Sequence, residues 1–201
     1  MRRALAPAWR SILDIAIIAF DNFTDLDLFL PWDLLNRVKD LGWKVRILGD
    51  KPQHYSVSGL TIPMQGPIED ANEADVVLFT SGSVTRQKYI DQDYLRVFRL
   101  DSNKQLIGSM CSGSLILGGL GLLKGKEATT YPTARPLLQE LGVTVVDRSF
   151  VRSGNIATAA GCLAGVELAS WVIEEKAGKY VRDTVMASVM PIGTVYGQQH
   201  S

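Results

Sequence analysis

Cys111 occupies the stretch of this 201-residue chain with the strongest chemical signature, Gly108-Ser-Met-Cys-Ser-Gly-Ser-Leu-Ile-Leu-Gly-Gly119. An apolar run (Gln105-Leu-Ile) ends just before it, and a glycine-rich, apolar helical run begins just after it. That junction predicts a sharp strand-to-helix turn that holds the sulfur above the sheet, with the first free helix N–H groups pointing toward it. Ser109 and Gly113 supply the small neighbours that a tight elbow requires. A helix N-terminus favours the thiolate, which is the nucleophilic form. The second cysteine, Cys162, sits between Ala159-Ala-Gly and Leu163-Ala-Gly and reads as helix–sheet packing.

A nucleophilic cysteine needs a proton partner, and the histidine count restricts the choice. Only His54 and His200 occur, the first in a predicted hairpin and the second at the penultimate position, so a conventional Cys–His triad is not expected. A carboxyl group is the remaining source. In Asp21-Asn-Phe-Thr-Asp-Leu-Asp-Leu-Phe-Leu-Pro-Trp-Asp33, helical spacing aligns Leu26, Leu30, Leu34, Val38 and Leu41 in one apolar stripe. Asp27 falls inside that stripe and Asp25 points away, which would make Asp27 a buried proton carrier with a raised pKa. The competing reading, left open by this segment alone, has Asp27 charging the first helical turn with Pro31 at its first position. Sulfur and carboxyl oxygen within hydrogen-bond reach, about 3–3.5 Å, would support a Cys111–Asp27 unit, and two or three times that would leave Asp27 as a helix-terminus residue. A third segment, Thr80-Ser-Gly-Ser-Val84, offers the backbone N–H of Gly82, beside that of Ser112, to an oxyanion; otherwise it is an ordinary β–α turn.

These segments must be positioned by alternating strands and helices. Strands are predicted over residues 14–20, 43–48, 75–79, 104–109, 143–146, 150–152 and 156–159, with a small hairpin over 54–64. Helices are predicted over 25–41, 87–100, 112–122, 133–141, 161–176 and 179–190. The alternation predicts an α/β fold, a doubly wound parallel sheet sandwich with a nucleophile elbow. Ligands in such folds sit at the carboxyl ends of the strands, where Phe20, Phe79 and Ser109 fall. Residues 1–13 read as an N-terminal extension and 14–201 as one α/β domain.

Composition removes several classes. Lys+Arg and Asp+Glu number 21 each, with no run of like charge, which argues against nucleic acid or an anionic membrane as main partner. Two cysteines far apart and two histidines assemble no metal spacing, so neither metal nor cofactor is expected. No signal-length or membrane-length apolar segment is seen, so a cytoplasmic protein with reduced thiols is the expectation.

The chain resembles the ThiJ/PfpI superfamily, whose flavodoxin-like fold is related to class I glutamine amidotransferases. The resemblance rests on residues 110–126, on Ala128-Thr-Thr-Tyr131, and on Phe20, Leu26-Asp-Leu28, Pro31 and Asp33. Within the superfamily it is most similar to the isocyanide hydratase branch, where the early acid comes from a Leu-Asp-Leu motif. The resemblance implies Cys111 as nucleophile, Asp27 as acid/base and Ser112 where the hydratase carries threonine. It further implies a small-molecule substrate, converted without cofactor from an isocyanide to an N-substituted formamide, and a homodimer. Departures are plain: Ser112 replaces the histidine of the protease-like branch, Tyr131 ends a Thr-Thr-His stretch, and Thr80-Ser-Gly82 replaces Pro-Gly-Gly. Tyr131, Trp32 and Ser83 are the expected pocket residues. Two alternatives share the same cysteine: a glyoxalase-like activity on 2-oxoaldehydes, and a non-enzymatic redox sensor in which Cys111 oxidises to a sulfinic acid.

Overall fold

The computed structural model describes residues 13–192; the N-terminal stretch before Leu13 and the segment containing His200 lie outside the described residues. Apolar, β-branched runs build a six-stranded sheet. Its strands are β1 (Leu13–Ile18), β2 (Trp43–Leu48), β5 (Val76–Phe79), β6 (Leu106–Met110), β9 (Phe150–Ser153) and β10 (Ile156–Ala159), in the order β2-β1-β5-β6-β10-β9. All residues of β5, β6 and β10 are buried, as expected for strands covered on both faces. Five strands run parallel, and the order reverses between β1 and β5, which is the switch point of a doubly wound sheet.

The edge corrects the all-parallel expectation: β9 is antiparallel to β10, with Ser153 opposite Ile156. Only Gly154 (φ 65°) and Asn155 separate the two strands, and so short a connection permits only a hairpin. The predicted hairpin over 54–64 forms from β3 (Gln53–Tyr55) and β4 (Thr61–Pro63). A pairing with no counterpart in the sequence reading joins β7 (Glu127–Ala128) to β8 (Thr144–Val145) in parallel.

One core layer lies between the sheet and helices α1 (Asp25–Asn36) and α6 (Gly165–Ala177), and gathers Ile15, Ile17, Leu34, Met110, Leu168 and Val172. The opposite layer holds Ile18, Phe79, Ile107 and Leu115 under α4 (Ser114–Gly119) and α5 (Arg135–Glu140). The helix predicted over 87–100 is instead two single turns, α2 (Thr85–Lys88) and α3 (Gln92–Leu95). Asp91 breaks it by capping the second turn, its side chain accepting from the Asp93 and Tyr94 N–H groups at 3.0 and 3.1 Å. The last helix, α7 (Lys179–Ala187), stops short of the predicted 190. Among the described residues no helix is long and apolar enough to cross a membrane.

Candidate active site

Three strand ends converge at the switch point. After β1 the chain turns through Asn22 and Phe23, and the Thr24 N–H donates to the Ser81 carbonyl at 2.8 Å, tying the loop after β1 to the loop after β5. Beside them β6 ends at Met110, and Cys111 follows with φ 46°, in the left-handed region that a non-glycine residue rarely occupies. The fold holds this conformation from two directions. Ser114 Oγ and Thr130 Oγ1 donate to the Cys111 carbonyl at 3.1 and 3.2 Å, and Ser114 Oγ also lies 2.7 Å from Thr130 Oγ1. On the far side Gly113 lies against the β5 loop, where a Cβ would come 2.5 Å from the Thr80 carbonyl oxygen. The elbow predicted from the glycine pattern is therefore present. The segment behind it begins as a short 3-10 turn (Cys111–Gly113) before α4.

Asp27 is fully buried on α1 and faces the elbow. The Cys111 thiol donates to Asp27 Oδ1 at 3.7 Å, slightly beyond the anticipated window yet ordinary for sulfur, while the Ser81 hydroxyl donates to Oδ2. The apolar stripe that singled out Asp27 is turned from its predicted position. Leu26 is 48% exposed, and the buried face of α1 is Asp27, Leu28, Pro31, Leu34 and Leu35. Pro31 is the seventh residue of a helix starting at Asp25, not its first, and the helix ends at Asn36 instead of running to residue 41. With no N–H of its own, Pro31 leaves the Asp27 carbonyl without its helical donor, while the Asp27 N–H donates to the Thr24 carbonyl at 3.0 Å.

Cys162 also belongs to this site, which corrects its reading as a packing residue. It is half-buried, and Asp27, Cys111 and Cys162 bring one carboxylate oxygen and two sulfurs within 4.8 Å of one another. The reason is topological: β10 lies beside β6 with Ala159 opposite Met110, so the residues after both strands emerge side by side. Gly161, with φ 89°, then turns the chain to present Cys162. Linear spacing hid this three-ligand cluster, because its members are brought together only by strand order.

Electrostatics reverses one expectation. Burial pushes the Cys111 thiol well above its ordinary value, and the neighbouring Asp27 charge and Cys162 push it further. A backbone hydrogen bond from Gly161 opposes them only in part. The partial charge of a helix start does not outweigh desolvation beside a carboxylate. Cys162 rises to about 11, first through burial and then through Asp27. The resting site therefore keeps its protons on sulfur, with a carboxyl group positioned to take one. Such an arrangement can deliver a thiol to an electrophile, hold the displaced proton on Asp27 and return it to the adduct.

The other predicted site residues divide. Ser112 is buried in the elbow, but its hydroxyl donates to Thr85 Oγ1 at 3.2 Å and leaves only its backbone N–H for the site. Gly82 is corrected: its N–H donates to Thr85 Oγ1 at 3.0 Å, so it is engaged within its own turn. The glycine is required there because a Cβ would strike the Asn22 carbonyl. Ser83 is exposed, and Trp32 packs half-buried against the α1–α6 core layer. Tyr131 is half exposed, one residue beyond the Thr130 that braces the elbow. Sequence reasoning missed the side chains of Ser81, Ser114 and Thr130, since isolated hydroxyls carry no periodic signal. His54 is buried between Asp21 (2.8 Å) and Asp50 (3.1 Å), with a carboxylate facing each ring nitrogen. Two open recesses, of about 570 and 660 Å³, lie elsewhere and do not include Cys111, which is 3% exposed.

A doubly wound α/β sheet, a cysteine on a strained elbow and a carboxylate from the first helix together define a class of flavodoxin-like cysteine proteins. Within it the chain belongs to the DJ-1/PfpI family, whose family model matches residues 14–175. Isonitrile hydratase of Pseudomonas putida is 33% identical over 171 residues, covering 83% of this chain and 73% of the relative. Deglycase PfpI of Pyrococcus furiosus is 24% identical over 147 residues, covering 71% and 87%. Among solved structures, a ThiJ/PfpI family protein from Pseudomonas syringae superposes with a TM-score of 0.81 at 25% identity, covering 95% of this chain and 83% of that one.

Proposed function

We propose that this protein is a cofactor-free hydratase of small isocyanide-like electrophiles, with Cys111 as nucleophile and Asp27 as acid/base. The observation that carries the proposal is the buried Cys111–Asp27 contact, with His54 held between Asp21 and Asp50. The likeness to an isonitrile hydratase at 33% identity supports the choice of substrate class.

In this mechanism Cys111 sulfur attacks the terminal isocyanide carbon as its proton passes to Asp27. Asp27 returns that proton to the carbon, giving a neutral thioimidate. Water then adds to the same carbon while Asp27 takes its proton and delivers it to nitrogen. Collapse of the tetrahedral adduct breaks the C–S bond, restores the thiol and releases the N-substituted formamide. A raised thiol pKa suits this cycle, because a thiolate that is costly in the resting site forms only as the new bond does. Ser81, donating to the other Asp27 oxygen, would fix the carboxyl plane.

The test is formamide production from a small alkyl isocyanide by wild type, Cys111→Ala and Asp27→Asn, with methylglyoxal assayed in parallel. Wild-type turnover lost in Cys111→Ala supports the hydratase; equal inactivity of all three defeats it. Turnover of methylglyoxal alone would favour the 2-oxoaldehyde reading, which the deglycase relatives support. The homodimer is likewise a proposal resting on family resemblance, and light scattering of the purified protein tests it.

A further inference from the structure

We propose that Cys111 and Cys162 close a reversible intramolecular disulfide when the site meets a hydroperoxide, withdrawing the nucleophilic sulfur from chemistry. Both are free thiols, on the ends of neighbouring parallel strands, and their sulfurs and an Asp27 oxygen lie within 4.8 Å of one another. Closing to a bond of about 2.0 Å requires the two sulfurs to approach from within that 4.8 Å. Cys162 is the freer partner: it opens a short 3-10 turn after Gly161 and is half-buried, whereas Cys111 is braced through its carbonyl by Ser114 and Thr130. The inference does not depend on the hydratase reading, because it concerns the thiols and not the substrate.

Cys162 meets the oxidant first, being the more exposed sulfur and the less strongly perturbed thiol. Its proton passes to Asp27 as its sulfur attacks a peroxide oxygen. The O–O bond breaks, and the alcohol leaves with that proton, so Cys162 becomes a sulfenic acid. Cys111 sulfur then attacks the Cys162 sulfur, its proton passing to Asp27. The S–O bond breaks, and hydroxide leaves as water with the Asp27 proton. Two thiols are oxidised by two electrons in all, and one hydroperoxide is reduced to alcohol and water. A thiol reductant reverses the bond. Closure would keep Cys111 from the sulfinic acid stage, which ordinary reductants do not reverse.

The experiment uses the full chain, reduced, freed of reductant and treated with hydrogen peroxide at one to a few equivalents. Expected is a loss of two hydrogens by intact mass, titratable thiols falling from two to none, and a Cys111–Cys162 cross-linked peptide that dithiothreitol abolishes. In Cys111→Ser the same treatment should leave a sulfenic acid on Cys162 that dimedone captures. Oxygen added to Cys111 without a cross-link, or a disulfide found only between chains, would overturn the proposal. The wild-type cross-link is read without any variant folding and without substrate, so a failed hydratase assay leaves it standing.

Discussion

Asp27 plays two opposing parts toward the Cys111 sulfur, and a single substitution separates them. As an anion it raises the cost of forming the thiolate; as a base it receives the proton when an electrophile is attacked. Asp27→Asn removes both. Toward a reagent that needs only thiolate, such as iodoacetamide, the loss of the anion dominates, and alkylation of Cys111 at neutral pH should accelerate several-fold. Toward an isocyanide the loss of acid–base work dominates, and kcat/KM should fall by about 10²–10⁴. Alkylation followed by peptide mass spectrometry checks the first, and formamide assay the second; parallel loss of both would mean that Asp27 only shapes the pocket. In wild type, alkylation should climb steadily with pH, without the plateau near neutrality of a low-pKa cysteine, because burial and the Asp27 charge hold the thiol above its ordinary value. The rate of labelling between pH 6 and 10 decides this.

The elbow works because adjoining segments lock the turn after β6. Gly113 packs on the backbone of Thr80 and Phe79, where an added Cβ would lie 2.5 and 3.0 Å from their carbonyl oxygens. Backbone cannot swing aside as a side chain can, so Gly113→Ala should cost about 1–3 kcal/mol of stability. Displacing Cys111 from Asp27 should also lower turnover more than the stability loss alone explains. Thr130→Val keeps the shape but removes one donor to the Cys111 carbonyl, for about 1 kcal/mol. Denaturant unfolding of the two variants measures both, and a Gly113→Ala protein as stable as wild type would show that the β5 loop yields. At this scale the sequence was legible where residue type and conformation are tied together. The small residues around Cys111 announced the turn, and Ser58 and Gly59 announced the hairpin between β3 and β4. It was not legible where a single side chain overrode periodicity. Asp91 split one predicted helix into two turns, and Pro31 entered α1 without ending it.

Across the whole molecule, strand order is what linear reading could not supply, and it is why Cys162 went unrecognised: only the adjacency of β6 and β10 brings it to the sulfur. Strand order also assembles a charge cluster at the opposite wall of the switch point, where residues after β1 and β2 meet the hairpin. His54 lies buried between Asp21 and Asp50, with Lys51 bonded to Asp21 and Lys88 to Asp50 at 2.7 Å. Burial by itself would lower the His54 pKa, but hydrogen bonds to Asp50 and then Asp21 hold it above the unfolded value of 6.5. Burial likewise opposes ionisation of Asp21, yet Lys51 and His54 keep it below 3.8; Asp50 is held lower still, chiefly by its bond to His54. A raised folded pKa makes the histidine's contribution complete below 6.5 and lost as pH rises through the folded value. Depressed carboxylates contribute fully above 3.8 and lose that contribution as pH falls through their folded values. Stability should therefore peak between about pH 4 and 6.5 and decline on both sides, the alkaline decline tracking deprotonation of His54. His54→Gln should flatten the alkaline limb and also weaken the acid limb, because Asp50 loses its chief partner and keeps only Lys88, while Asp21 keeps Lys51. Melting temperatures from pH 3 to 7.5, where the thiols of the unfolded chain are still mostly protonated, test this; an unchanged alkaline slope in the variant would assign the loss to another group.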